Sequence, residues 1–356
     1  MTELIVRTEG RAGRITLNRP DALNALTYEM CLGIEAAIDG WRTDEAVDLI
    51  LIEAAGDRAF CAGGDIAEMY ATGTAGDYSY GRKFWRDEYR LNAKLAEYPK
   101  PIVSFLQGFT MGGGVGVGCH ASHRIVGESA QISMPECGIG LVPDVGGSLL
   151  LANAPGRIGE YLALTTARMG PADAILAGFA DHFVPEADWD HLKAALSETG
   201  DIGRIRPHSP PEGKLAALQS EIDANFGGER LGDIVRALRA SGTDFAQDAL
   251  RRLSPNAPLS MACAVEMIHR LRGSGTMHRA LELEYRFTYR AMEKGDFLEG
   301  IRAAIIDKDK SPKWRHAHLE KVPPVEVSNM LRPLGPETLD LSALDEIEGT
   351  SPEEDT

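Results

Sequence analysis

Two stretches constrain the architecture of this chain more than any tally of residue types. DLILIEA (Asp48 to Ala54) and PIVSFL (Pro101 to Leu106) are short, nearly continuous apolar runs, and each leads into a glycine-rich turn. A run of this length without polar alternation reads as a buried strand. Before the first, Leu4 to Thr8 and Arg14 to Asn18 flank a Gly-containing turn and read as a β-hairpin. Between hairpin and strand, Thr27 can cap a helix whose Met30, Ile34, Ala37, Ile38 and Trp41 recur at three-and-four spacing. Strands alternating with helices predict an α/β core whose ligand-facing loops lie where the strands end.

The composition narrows the class. A folded chain of 356 residues buries roughly 75% of its unfolded surface, and 44% hydrophobic with 25% charged residues is globular rather than disordered. No apolar run approaches the roughly 18–20 residues that cross a bilayer. MTELIVRTEG has no basic-then-apolar or Arg- and Ser-rich leader pattern, so a cytoplasmic location is the default expectation. A net charge of -16 repels nucleic acid and anionic membranes, and neither is expected as a partner. Cys31, Cys61, Cys119, Cys137 and Cys263 are odd in number and scattered, which predicts reduced, packed thiols. His120 and His123 have no carboxylate or Cys completing a metal set, so no metal site is expected.

Near residue 200 the chain becomes rich in Gly, Pro and Ser (SETGDIGRIRPHSPPEGK), and few strand candidates follow. This divides the chain into a core of residues 1–200, a helical region of 201–333 and, over 334–356, a flexible tail ending in the acidic run SALDEIEGTSPEEDT.

The chemistry is expected in the two turns. Ala59-Phe60-Cys61-Ala62-Gly63-Gly64-Asp65-Ile66 lies between a strand and a helix, and its glycines let a ligand approach the backbone. Gly108 to Gly118 (GFTMGGGVGVG) follows a strand and opens a helix, where free N–H groups favour negative charge. Neither contains GxGxxG, Gly213-Lys214 is followed by Leu215 rather than Ser or Thr, and GxSxG is absent. One such loop is compatible with tight packing alone. Two that both follow buried strands favour a pair of N–H donors converging on an oxyanion.

AFCAGGDI and GFTMGGGVGVG resemble the two oxyanion-hole signatures of the crotonase-like (enoyl-CoA hydratase/isomerase) superfamily, and NRPDALNAL (Asn18 to Leu26) resembles its CoA-adenine loop. The resemblance implies a ββα spiral core with a helical C-terminal region. It also implies an oxyanion hole made by the N–H groups of Gly64 and Gly113, and a CoA site along Leu23, Ala62, Gly64, Asp65 and Ile66. One such donor is worth on the order of 3 kcal/mol of barrier. No cofactor beyond the CoA of the substrate is implied. Superfamily members form trimers or pairs of trimers, although this sequence establishes no assembly.

Side chains must select the reaction. Hydratases of the superfamily carry a Glu two residues after the third loop glycine and a second downstream; here the first position is Gly116, while Glu136 fills the second. Losing one acid/base group costs roughly 10²–10⁴ in rate, which disfavours hydration. MPECGIGLVPDVGG, with Asp144 eight residues beyond Glu136, resembles the 3-hydroxyisobutyryl-CoA hydrolase branch, as do FWRDEYRLN (Phe84 to Asn92) and Glu284 to Trp314, which ends in DKDKSPKW. That similarity spans about residues 3 to 320. It implies Glu136 as principal catalytic carboxylate, nucleophile or base for water. Asp144 would orient that water or protonate the thiolate, and substrate would contact Glu88, Gly113, Glu136 and Asp144. The implied reaction is hydrolysis of a short β-hydroxyacyl-CoA; isomerisation on one carboxylate, or CoA binding without turnover, are the competing readings. Plainer roles also stand: Glu88 as a solvated residue paired with Arg86 or Arg90, Asp144 as a helix N-cap, Cys61 and Cys137 as packed thiols, and DKDKSPKW as a docking segment.

Overall fold

The computed structural model describes residues 2–341. Its first strands, β1 (Leu4–Glu9) and β2 (Ala12–Leu17), form the expected hairpin, in register from Leu4 opposite Leu17 to Glu9 opposite Ala12. Helix α1 (Tyr28–Trp41) follows, with the Thr27 hydroxyl accepting from the Met30 N–H at 3.2 Å. Three successive strand pairs come next: β3 (Leu49–Ala54) with β4 (Ala59–Cys61), β5 (Ile102–Leu106) with β6 (Phe109–Met111), and β7 (His123–Val126) with β8 (Gln131–Ser133). The first member of each pair joins a six-stranded sheet of order β1-β2-β3-β5-β7-β9, completed by β9 (His182–Phe183). The second joins a three-stranded sheet of order β4-β6-β8. Apart from the β1–β2 hairpin, every strand pairing is parallel.

Helices separate the pairs: α2 (Ala67–Thr74) and α3 (Ser79–Ala96) after β4, α4 (Gly113–Gly118) after β6, and α5 (Gly147–Asn153), α6 (Ile158–Thr165) and α7 (Pro171–Leu176) after β8. Each ββα turn of the chain thus adds one strand to each sheet and then steps over by one position. Strand side chains alternate between faces, and here both faces are covered. Ile50 and Ile52 belong to the main core, whereas Leu49, Leu51, Val103 and Phe105 meet Trp189, Leu192 and Leu196 of α8 (Trp189–Thr199) in a second one. This is why β3 and β5 read as unbroken apolar runs.

Beyond residue 200 come α9 (Leu215–Asn225), α10 (Leu231–Ser241), α11 (Asp244–Leu253), α12 (Pro258–Leu271), α13 (Met277–Lys294), α14 (Phe297–Ile301) and α15 (Pro324–Leu331). These helices share the main core with the N-terminal part: Tyr89 of α3 meets Tyr285 of α13 edge-on, and Trp85 packs against Phe297. A π-helical turn, Arg302–Ile306, leads into DKDKSPKW, where the Arg302 guanidinium holds Asp307 at 2.6 Å and Asp309 at 2.8 Å and the Trp314 indole donates to the Pro255 carbonyl. This segment does dock the C-terminal helices. Leu339 and Leu341 are buried on the main core, so the chain is not a solvated tail at 334–341. The acidic run expected there lies, from residue 342 on, outside the described residues. All five cysteines are free and buried. Among the described residues no helix is long and apolar enough to cross a membrane.

Candidate active site

The three-stranded sheet builds the site. Because β4, β6 and β8 are parallel and adjacent, their C-terminal ends lie side by side, and the residues just beyond them meet: Gly63-Gly64 after β4, Gly112-Gly113 after β6, and Pro135-Glu136 after β8. The segment Leu23–Leu26 lies alongside the first turn. Leu26 donates to the Gly63 carbonyl at 2.9 Å and accepts from the Asp65 N–H at 2.8 Å, while the Leu23 carbonyl takes the Ala62 N–H at 3.0 Å. This bridge uses the Gly63 carbonyl and the Asp65 N–H, the groups on either side of Gly64, and leaves the Gly64 N–H out of the pairing with Leu26. Gly113 opens α4, and its N–H has no acceptor within the helix. A Cβ on Gly113 would stand 3.5 Å from the Gly64 nitrogen and 3.0 Å from Glu88 Oε1. The two expected donors are therefore neighbours, and only a residue without a side chain leaves the space between them open.

Three carboxyl groups face this space. Glu88 comes from the middle of α3, Glu136 from the turn after β8, and Asp144 from the loop before α5; each is 4% exposed. Glu88 is no surface residue. Its neighbour Asp87 makes the ion pair with Arg90 at 2.8 Å and accepts from the Tyr28 hydroxyl, whereas the Glu88 carboxyl has no hydrogen-bonding or ion-pairing partner among the described residues. Glu136 Oε2 is buried without a partner, and Oε1 lies 3.1 Å from where a Gly112 Cβ would stand. Asp144 is not the cap of α5, a position taken by Gly146 in the left-handed region; its Oδ2 instead accepts from the Tyr89 hydroxyl at 2.7 Å.

Burial, with no cation among the described residues acting on them, controls the protonation of this trio. Glu136 and Glu88 are both pushed well above the usual carboxylate range, first by burial and then by the charge of Asp144. Asp144 is pushed up to about 7 by burial, with the Tyr89 hydroxyl and its own backbone N–H acting in the opposite direction. Near neutral pH such a site can present a neutral, proton-donating carboxyl beside an ionised one.

Position 116 is closed to a larger residue. A Cβ on Gly116 would meet Asn92 Nδ2 at 2.7 Å and Val145 Cβ at 2.8 Å, so these two side chains occupy the place where a glutamate would project. The cleft itself, about 240 Å³, has apolar walls that include Phe84, Trp85, Leu141, Val145, Phe297 and Ile305. Ala62, Gly64 and Ile66 line it too. Asp65 turns instead to Arg19, at 3.1 Å, and Leu23 is tied to the site through the Ala62 N–H. His120 bonds the Val145 carbonyl and His123 the Ser122 hydroxyl. Among the described residues no group of three or more His, Cys, Asp or Glu is placed to hold a metal.

Sequence reasoning missed Tyr89, Asn92, His120 and Glu284. Glu284 is fully buried on α13, and its spacing from Ala280, Leu281, Phe287 and Thr288 was the available signal: a glutamate within the apolar stripe of a helix.

Parallel strand ends that pair two glycine N–H groups, faced by buried carboxyls and an apolar acyl-sized cleft, define the crotonase-like class of acyl-CoA enzymes. Residues 12–331 match the enoyl-CoA hydratase/isomerase family, and the chain belongs to that family. Among solved structures, an enoyl-CoA hydratase from Rhodobacter sphaeroides 2.4.1 is 60% identical with a TM-score of 0.93, covering 95% of this chain and 100% of its own. A carnitinyl-CoA dehydratase from Mycobacterium thermoresistibile is 38% identical with a TM-score of 0.91, covering 96% and 99%. Among curated relatives, the mitochondrial 3-hydroxyisobutyryl-CoA hydrolase of Gallus gallus is 36% identical, covering 95% of this chain and 91% of the relative. The protein of that name from Homo sapiens is also 36% identical, covering 94% and 89%.

Proposed function

We propose that this enzyme hydrolyses a short β-hydroxyacyl-CoA, foremost 3-hydroxyisobutyryl-CoA, to the hydroxy acid and CoA, a step of valine breakdown. The observation that carries this reading is the closed niche at Gly116. With Asn92 and Val145 filling it, the second acid/base carboxylate of a hydratase has no place, while Glu136 and Asp144 are buried together across the oxyanion seat. The names of the curated relatives support it; those of the two solved relatives favour hydration and make that reaction the alternative to test.

In the proposed reaction the thioester oxygen sits on the N–H groups of Gly64 and Gly113, and its CoA moiety runs along Leu23 and Ala62 to Ile66. Burial raises both carboxyls, and the reacting state is the one in which the proton they share sits on Asp144. Glu136, thus ionised, attacks the carbonyl carbon, or deprotonates the water that does so, and negative charge grows on the oxygen where the two donors are already aligned. The C–S bond then breaks, and protonated Asp144 passes its proton to the departing sulfur. In the direct route water cleaves the acyl-glutamyl anhydride, giving up a proton to Asp144 as it attacks, and so restores ionised Glu136 and protonated Asp144. In the water route the proton taken by Glu136 returns to Asp144. Glu88, kept neutral by burial, can donate a hydrogen bond to the 3-hydroxyl. The small apolar cleft suits a short, branched acyl chain.

Purified protein mixed with 3-hydroxyisobutyryl-CoA is expected to release free thiol with no added cofactor, and to leave crotonyl-CoA unhydrated. Hydration of crotonyl-CoA without thiol release from the hydroxyacyl thioester would sink the proposal.

A further inference from the structure

The loop that presents Asp144 is held in an unfavourable conformation. Val145 has φ of 52°, a left-handed conformation that a β-branched residue rarely adopts, and Gly146 follows at 79°. Such a turn persists only where its surroundings enforce it. Three buried groups do so. The Tyr89 hydroxyl fixes Asp144 Oδ2, and His120 Nε2 lies 2.7 Å from the Val145 carbonyl. Burial pushes His120 down to about 4, so the ring is neutral near pH 7 and its Nε2 must carry the proton to donate to that carbonyl. The third group is Glu284 of α13: Oε2 accepts from the Gly146 N–H at 2.8 Å, and Oε1 accepts from both the N–H, at 3.1 Å, and the hydroxyl of Ser148.

We propose that Glu284 is a positioning residue for catalysis, which locks the Asp144–Val145–Gly146 turn from the C-terminal helices and so sets the approach of Asp144 and Val145 to the acyl group. The assignment rests on the hydrolytic reading of the site. It gives the helical region after residue 200 a share in the chemistry, through a residue that touches no substrate. Both carboxylate oxygens are used as acceptors, so an amide cannot replace the group: Gln at 284 would set its NH₂ against the Gly146 N–H or against Ser148. The titratable groups whose charge reaches Glu284 are Asp144 on the turn, Tyr89 on α3 and Glu136 after β8. Among the described residues no Lys, Arg or His forms an ion pair with it. Burial pushes Glu284 itself up to about 8 against the pull of its hydrogen bonds, and where it ionises its charge raises the Glu136 carboxyl, beyond the larger effects of burial and Asp144.

Two variants test this, each compared with wild type on whichever acyl-CoA the wild type turns over. Glu284→Gln is expected to lower kcat by roughly 10- to 100-fold, the penalty of a small misplacement of reacting groups, with KM nearly unchanged. It should also remove from the alkaline limb of the pH–rate profile the step that Glu284, pushed up to about 8 by burial, contributes as it ionises beside Asp144 and Glu136. A merely structural role would leave that limb where it is. Ser148→Ala removes one donor to Glu284 and little volume, and is expected to lower kcat by roughly 3- to 10-fold at constant KM. Folded E284Q with wild-type kcat and pH profile would overturn the proposal; should E284Q not fold, wild-type kcat in S148A would do so. Failure of the wild type to release thiol would instead count against the hydrolytic reading alone.

Discussion

Gly64 and Gly113 offer backbone N–H groups at the ends of β4 and β6, whereas Glu88, Glu136 and Asp144 offer side chains raised toward the neutral form by burial. The first half of the cleft takes its geometry from the pairing of parallel strands, and its only demand on residue type is that side chains be absent. The second half depends on groups distant in sequence: Tyr89 behind Asp144, Asn92 and Val145 in the niche at Gly116, and Glu284 behind the turn. Under the proposed function the backbone half would hold the thioester oxygen, while the choice of reaction would rest on how the side-chain half is packed.

Substitutions can break the two halves separately. Glu136→Gln should have the largest effect, lowering kcat by roughly 10²–10⁴ while thermal stability and binding of CoA are kept, as read by thiol release and calorimetry. Gly113→Ala attacks the backbone half. Its φ is not in the left-handed region, so the fold should survive, but the new methyl falls 3.0 Å from Glu88 Oε1 and beside the Gly64 N–H. A loss of about 10²–10³ in kcat is expected, the cost of an oxyanion-hole donor. Near-normal turnover in this variant would show that the thioester oxygen sits elsewhere.

Asp144→Asn should cost less, roughly 10- to 100-fold, because a thiolate leaves without strong acid help. It should also change the dependence of stability on pH. The folded protein holds the Asp144 proton more tightly than the unfolded chain does, with its pKa moved from 3.8 to about 7. The wild type therefore loses stability as pH rises across that window, and Asn at 144 removes the loss. Melting temperatures at pH 5 and pH 8 check this: D144N should gain on the wild type at pH 8. A constant difference at both pH values would argue that Asp144 is already ionised when buried.

What the sequence determined by itself was local. The β1–β2 hairpin, the Thr27 cap, the apolar runs of β3 and β5 and the glycine turns are short-range patterns set by periodicity, turn chemistry and burial. The motif residues Gly64, Gly113, Glu88, Glu136 and Asp144 were legible in another way, through the resemblance of their segments to the motifs of a known family. Tertiary structure alone decided what surrounds them. Only packing of α3 against the turn before α5 shows that the Tyr89 hydroxyl meets Asp144, and that Asn92 closes the space at Gly116. Only the return of α13 across the core brings Glu284 to a turn 138 residues earlier. No local pattern carries these contacts, because hydrogen bonds and excluded volume act between neighbours in space, and it is the folded core that makes residues 88, 136, 144 and 284 neighbours.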